Sequence, residues 1–369
     1  MNKKVLIFLF LVSLSAKNIK KNKSIIFPNL PGFKTLICDF HTHTVFSNGS
    51  VWPDIRVQEA IKDGLDAIAI TENINYDSRV NHYNDFDRNQ PYELAKTFVD
   101  KSTLLIINGS DLNSSPITDQ ANAIFLKDAN KLINSKKPIE DYIEAKKQGA
   151  FTFWTQPYIM KNLSNDGDIL NQVKIEMIKS NLVHGIEIVN DTTFSNKAFQ
   201  VALDYDLTLL GTSDIHGIID WQYQIESGRH RPVTLVFARE KSQSSLKKAL
   251  KNGQTVIWYD KNLIGKNENL LPLISSSLKV KSAKYKIDEK IINIVITNNS
   301  DANYILRNQS NFDFYNSTNL ISIPPHGYTV IDVIVMKKRR KINLEFEVLN
   351  CLIAPNTHPV FRLVVKPKF

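Results

Sequence analysis

Residues 37–50 read ICDFHTHTVFSNGS. Asp39, His41 and His43 occupy every second position of an otherwise apolar run, so on a β-strand all three side chains project to one side. A strand patterned in this way supplies half a metal site. Asn48 follows in the turn, an amide where a metal site would gain from a carboxylate. A second strand-like run, LTLLGTSDIHG, repeats the two-residue spacing with Asp214 and His216. The competing interpretation is a set of core polar residues satisfied by the backbone; two such pairs favour metal ligation.

Residues 35–260 alternate short apolar runs with amphipathic stretches. TLICDFHTHT precedes DIRVQEAIKDG, LDAIAITEN precedes PYELAKTFVDKS, and AFTFWTQP, HGIEIVN and LTLLGTSDIHG are separated by helical periods. Strands apolar on both faces and divided by helices predict a parallel sheet with enough β-α units to close into a barrel. Such barrels carry their chemistry at the C-terminal ends of the strands. His41, His43, Glu72, Asn73, Asp111, Gln156, Glu187, Asn190, Asp214 and His216 cluster at those ends. His184 lies at a strand start and is expected to be structural.

After residue 262 the texture changes. Residues 263–283 are expected to be a linker between a barrel domain, residues 30–262, and a second domain, residues 284–369. INIVITNNSDANYIL, NLISIPPHGYTVIDVIV and INLEFEVLNCLIAP alternate polar and apolar residues between Asn/Ser/Pro-rich turns. This predicts a small all-β sandwich of immunoglobulin-like size that folds independently. The fold class is therefore α/β, a distorted (β/α)7 barrel followed by the sandwich.

With 369 residues, 43% hydrophobic and 22% charged, the chain is a globular protein of more than one domain. The net charge of +9 is spread along the whole chain, so no nucleic-acid partner is expected. The dense basic run at residues 337–341 (KKRRK) is read as a solvated hairpin turn. Residues 1–16 combine a basic start, an apolar stretch and small residues at Ser13 and Ser15, which predicts a cleaved signal peptide and export to the periplasm or medium. The segment is too short to span a bilayer, and no transmembrane segment is expected. Cys38 and Cys351 are far apart, so no disulfide framework is available.

In order, CDFHTHTVFSNG, GLDAIAITEN, GSD, WTQPY and GTSDIHG resemble the ordered motifs of the PHP (polymerase and histidinol phosphatase) superfamily, across roughly residues 34–260. The sandwich is similar to the C-terminal module of exported Bacteroidetes PHP-like proteins. The resemblance implies a distorted seven-stranded barrel and hydrolysis of phosphate esters with up to three divalent metals. It places the first metal on His41, His43, Asp111 and Asp214. It places the second on Asp111 again with Gln120 and Gln156, and the third on Asn48, Asn73 and His216, where the family has acids and histidines. Carboxamides are poor ligands for zinc or manganese. The implied cofactor is one divalent ion, zinc or manganese.

Asp214, His216 and Glu187 are the candidate catalytic residues on this basis. Asp39 is expected to orient a ligand histidine, and Glu72 either to support the site or to be simple barrel polarity. Arg229 and Arg231 in GRHRP either meet an anionic substrate or form a solvated loop. Two functional classes follow: a phosphoesterase-type hydrolase weakened or altered by a one-ion centre, acting on a small molecule, or a catalytically silent protein that binds a small ligand, glycan or protein partner. The partner of the sandwich is not readable.

Overall fold

A computed structural model describes residues 25–74, 87–100, 103–112, 120–132, 139–156, 170–286, 290–315 and 318–368. The expected leader at residues 1–16 lies outside them. The first part contains β1 (Lys34–Thr42), α1 (Pro53–Asp63), β2 (Ala67–Asn73), α2 (Gln90–Thr97), β3 (Leu105–Leu112), β4 (Ala121–Ile124), α3 (Ile139–Lys147), β5 (Phe151–Trp154), α4 (Gln172–Lys179) and β6 (Gly185–Asn190). It continues through β7 (Thr193–Phe194), α5 (Asn196–Asp204), β8 (Thr208–Thr212), α6 (Ile219–Tyr223), β9 (Val233–Ala238), α7 (Gln243–Lys251), β10 (Thr255–Tyr259), β11 (Asn262–Gly265) and α8 (Asn267–Ser277).

Local chemistry explains the helix that follows the metal motif. In α1, Pro53 opens the first turn, where a missing N–H costs nothing, and Gly64 closes the helix in the left-handed region (φ 75°). Its buried face is Pro53, Arg56, Val57, Ala60 and Asp63, an apolar stripe interrupted by an arginine and ended by an aspartate. Strands β2, β3 and β6 are buried almost throughout, as expected where both faces are covered.

The strands curl in the order β9, β1, β2, β3, β4, β5, β6, with β8 beside β6. The sheet is mixed where a parallel one was expected: β4 runs against β3 and β5, and β9 runs against β1. β8 closes the barrel against β1 and β9. Thr42 bridges Ile215, and the Thr234 hydroxyl donates to the Gly211 carbonyl (2.8 Å) while accepting from its N–H (3.0 Å). A Cβ on Gly211 would collide with Ile257, so this close approach requires glycine.

Leu36, Cys38, Phe40, Ala67, Ile107, Phe153 and Leu210 fill the barrel, together with Leu246 and Leu250 of α7. α7 covers the end where the parallel strands begin: Gln243 donates to the Ile106 carbonyl (2.8 Å), and Thr208 donates to that of Leu250 (2.7 Å). Chemistry is thereby left to the opposite end.

The C-terminal part is a sandwich of a three-stranded and a four-stranded antiparallel sheet. The first holds β12 (Leu278–Tyr285), β13 (Ile291–Asn298) and β16 (Tyr328–Ile334). The second holds β14 (Tyr304–Asn308), β15 (Leu320–Ile323), β17 (Ile342–Val348) and β19 (Val360–Val365). Strand β18 (Cys351–Leu352) leaves the sandwich to pair in parallel with β11.

Two expectations change here. Residues 263–283 are ordered as the end of β11, helix α8 and the start of β12, where a linker was expected. Leu263, Leu270, Leu273 and Ile274 belong to one hydrophobic cluster with Tyr304, Leu306 and Phe346 of the sandwich and with Ile37 and Val57 of the barrel. The basic run at residues 337–341 is exposed as expected, but it crosses from β16 in one sheet to β17 in the other and is not a hairpin.

Candidate metal centre

The pairing of β1 with β2 shifts register between Asp39 and Thr42. Such a bulge reverses which face successive residues occupy. Phe40 fills the barrel while Ile37 packs with Val57 and Ala60 outside it. Asp39 therefore falls on the outer side, and beyond the bulge the rings of His41 and His43 turn inward. Asp39 accepts from the Ser213 N–H (3.1 Å), from the Ser213 hydroxyl (2.5 Å) and from Arg231 Nη1 (3.2 Å). It ties β1 to the loop carrying Asp214 and hydrogen-bonds to neither histidine ring, contrary to its expected role.

Glu187 holds His41 instead. Fully buried on β6, its Oε1 takes His41 Nδ1 (2.8 Å) and the Thr212 hydroxyl (2.6 Å). Its Oε2 accepts from the Gln156 N–H (3.0 Å) and Asn190 Nδ2 (2.7 Å). With both oxygens occupied and no exposure, Glu187 is placed to position His41, not to exchange protons with a substrate. That bond turns His41 Nε2 toward His43 Nε2, 3.0 Å away, and both nitrogens lie 3.1 Å from Asp214 Oδ1.

Asp111, from the end of β3, completes the group. His41, His43 and Asp111 offer ligand atoms all within 4.8 Å of one another, and so do His43, Asp214 and His216. The Asp111 Oδ1 atom is buried with no hydrogen-bond partner, which is costly for a carboxylate unless a cation meets it. Asp111 thus groups with His41 and His43, the same two imidazoles that meet Asp214, and it keeps one buried oxygen without a partner.

Electrostatics follow the same geometry. Burial would depress the His41 pKa, but the Asp214 and Glu187 carboxylates outweigh it and raise it to about 10. Burial, and then the charge on His41, lower His43 to about 4. Burial lifts Asp111 to about 7 against the opposing pull of His41 and the Gln120 amide. Burial is overridden at Asp214, where His41 and His43 hold the carboxyl well below the usual range. One imidazolium neutralises a site built from anions, the arrangement expected where a metal ion is the natural counter-charge.

The amides sit around this core. Gln120 Nε2 donates to Asp111 Oδ2 (2.9 Å), Asn73 Nδ2 reaches the same oxygen at 3.4 Å, and Gln156 Nε2 donates to Asp214 Oδ2 (2.5 Å). Asn48 is exposed and accepts from Ser47 (3.2 Å), away from the carboxylates. Asp214 and Gln156 both adopt left-handed backbone conformations (φ 49° and 46°), a strain that collects at functional sites. His216 is half-exposed, its ring stacked on His43 at 4.4 Å.

Residues 278–364 match the family described as an Ig-like domain. A solved two-domain protein from Bacteroides vulgatus, containing a predicted PHP-like metal-dependent phosphoesterase, is 33% identical. The alignment covers 93% of this chain and 98% of that one, with a TM-score of 0.85. The chain belongs to this PHP-like family. A structure from Bifidobacterium adolescentis described as a putative metal-dependent phosphoesterase is 15% identical over 49% of this chain and 88% of that one, with a TM-score of 0.36. No curated protein matches.

Within this PHP-like barrel the remaining expected residues find other tasks. Glu72 is buried, which raises its pKa, and it accepts from the Thr44 N–H (3.2 Å), the Thr44 hydroxyl (2.5 Å) and the Ser47 hydroxyl. It braces the loop after His43. Arg231 is fully buried against Asp63 (2.7 Å) and Asp39, so it cannot meet a substrate. Arg229 is exposed on the rim of a separate cleft of about 640 Å3, near Thr192, Gln222 and Tyr259. His184 stacks on Phe151 and accepts from the Thr152 N–H (3.1 Å), a structural role as expected.

Arg56 was not singled out from the sequence. Buried on α1, it donates to the carbonyls of His43 (2.9 Å), Gly217 (3.0 Å) and His216 (3.4 Å), joining both metal-motif loops. The one legible sign was an arginine on the apolar stripe of an amphipathic helix. Among the described residues, no helix is long and apolar enough to cross a membrane.

Proposed function

We propose that the chain is a metal-dependent phosphoester hydrolase of small molecules, working with one divalent ion, zinc or manganese, on His41, His43, Asp111 and Asp214. The convergence of His41 Nε2, His43 Nε2 and Asp214 Oδ1 within 3.1 Å carries this reading, with the orphaned Asp111 Oδ1 beside them. Two imidazoles and two carboxylates suit either metal and leave a coordination position open. An ion held there would supply Lewis-acid activation of water and of a phosphoryl oxygen.

The protein groups do the rest. Glu187 fixes the His41 ring, and Arg56 holds the two loops in register. His216, at the mouth, is placed to pass a proton to a leaving oxygen. With amides at Asn48, Asn73, Gln120 and Gln156, no second cation clamps the leaving group, so turnover of simple phosphate esters is slow. The same amides favour a second reading, a silent pocket for a neutral polyol or glycan, since Asn73, Gln120 and Gln156 point N–H groups into the site.

Elemental analysis after saturation with zinc or manganese and gel filtration should find about one ion per chain and none in His41→Ala, with p-nitrophenyl phosphate hydrolysis lost in both His41→Ala and His216→Ala. Two or three tightly held ions would overturn the one-ion centre. A metal-free protein that binds neutral sugars would leave the second reading.

A further inference from the structure

At the closed end of the barrel, opposite the metal centre, lies a cleft of about 700 Å3, within the size range of small-molecule sites. Its rim carries Lys127, Lys247, Lys248 and Lys251, and its floor is Tyr92, Phe125 and Leu126, with no carboxylate among the described residues that line it. None of the four ammonium groups forms a hydrogen bond or ion pair with a described residue; Lys247 alone has a contact, over the Phe125 ring at 5.6 Å.

Such an arrangement costs the protein something. Lys247 and Lys251 lie four residues apart on α7, a like-charge spacing that destabilises a helix. The favourable pull of the helix C-terminus on cations applies to the last turn, not to Lys127 on a different element. Burial, and then the charges of Lys251 and Lys127, depress the Lys247 pKa, as expected of cations with no counter-charge. His184 nearby is lowered to about 4 by burial and then by Lys251, Lys146 and Lys247, so the positive field extends over this end.

A second observation points to a ligand independently. Asn108 lines the cleft at 5% exposure, and its Oδ1 is buried without a partner, while its Nδ2 is committed to Asn89 (2.9 Å). A bound group with a donor would satisfy it.

We propose that this cleft binds a small phosphorylated organic molecule, its two or more negative charges on the lysines and its apolar ring on the Tyr92–Phe125 floor. Nothing in this site depends on the metal centre, which lies at the other end of the strands, so the two assignments stand or fall separately.

The test is isothermal titration of the full-length chain with ATP, pyrophosphate and adenosine, at low salt with EDTA. ATP should bind saturably and weaken with added salt, and adenosine should bind at least ten-fold more weakly. Pyrophosphate should fall between them, since it offers the charge without the ring. Lys247→Ser/Lys251→Ser should lower ATP affinity at least ten-fold while still melting cooperatively, since the repulsion removed offsets the lower helix propensity of serine. Lys127→Ser/Lys248→Ser provides a second variant should the first fail to fold. His41→Ala should bind ATP unchanged. Absence of saturable ATP binding, equal affinity in both lysine variants, or loss of binding in His41→Ala would overturn the proposal. Binding of long RNA or anionic vesicles that ATP does not displace would overturn it as well.

Discussion

Glu187→Gln separates positioning of the metal ligand from support of the fold. The carboxylate receives four donors, two on each oxygen. A glutamine keeps one acceptor and turns an NH2 toward the other pair. With the NH2 toward His41, the imidazole must accept at Nδ1, which moves its proton to Nε2, the nitrogen facing His43 and Asp214, and blocks ligation there. With the NH2 toward Gln156 and Asn190, Asn190 can flip and present its now unpartnered Oδ1, which orphans the Gln156 N–H and gives up the long Asn190 Nδ2 bond to Asp214 Oδ2 (3.3 Å). The second arrangement costs less, about 1–3 kcal/mol of stability. It also strips the charge that makes His41 a strong donor. Losing such a partner lowers metal affinity roughly 10–100-fold, or about 1.4–2.7 kcal/mol. Asp39→Asn is the control. It leaves the His41 ring untouched but breaks a fully buried pair with Arg231, costing roughly 3–5 kcal/mol of stability. Competition of each variant with a zinc chelator, beside its urea midpoint, reads both effects. An affinity loss in Asp39→Asn equal to that in Glu187→Gln would refute the assignment of Glu187 as the residue that orients His41.

Metal binding near pH 7 should release about one and a half protons, because His41 is charged in the free protein (raised to about 10) and Asp111 is about half protonated (raised to about 7). Calorimetric heats in buffers of differing ionisation enthalpy give the number. Because the folded His41 pKa lies above its ordinary value, the metal-free chain holds that contribution to stability fully below about pH 6.5 and loses it as pH rises through about 10. Urea midpoints with EDTA should fall across that window, and less so with metal. A chain ending at residue 277 should aggregate, since Leu263, Leu270, Leu273 and Ile274 lose their cover at roughly 1.5–3 kcal/mol each, comparable to a whole domain's stability; a monomeric, cooperatively melting fragment would show that the shared core is dispensable. Gly211→Ala should destabilise by about 1–3 kcal/mol through its clash with Ile257, read from the thermal midpoint.

The alternation of β and α periods is local, so the barrel could be read from the chain, and polar residues at strand ends marked the site. A β-bulge is not local. The two-residue period grouped Asp39 with His41, and only pairing with β2 reveals the register shift that separates them. Glu187 stood out as a charge in an apolar strand, but its partner lies 146 residues away in the chain. Arg231 resembled a substrate contact because its burial depends on Asp63 and Asp39 from two other elements. The supposed linker contains Pro272 inside α8, which interrupts the helical signal. The sandwich texture was legible, while its shared core with the barrel was not, since neither set of apolar residues names its partner.

The amides bear on how many ions the centre can hold. In a site holding several metals, each carboxylate offers its second oxygen to a further cation. Here those oxygens are already taken: Asp111 Oδ2 by Gln120 and Asn73, Asp214 Oδ2 by Gln156. The amide N–H groups thus supply the positive partner that a second ion would otherwise provide, and without it each buried oxygen would bear a desolvation penalty. A single reversion removes one such donor without completing a ligand set, so Gln156→His alone should leave the metal count near one and cost some stability. Asn48→Asp, Asn73→His, Gln120→His and Gln156→His together remove the donors and add an anion and three ring nitrogens, and should raise the count above one. Elemental analysis of both proteins decides the matter: a second ion already present in the Gln156→His variant would mean that the amides only fill space and do not substitute for the missing cation.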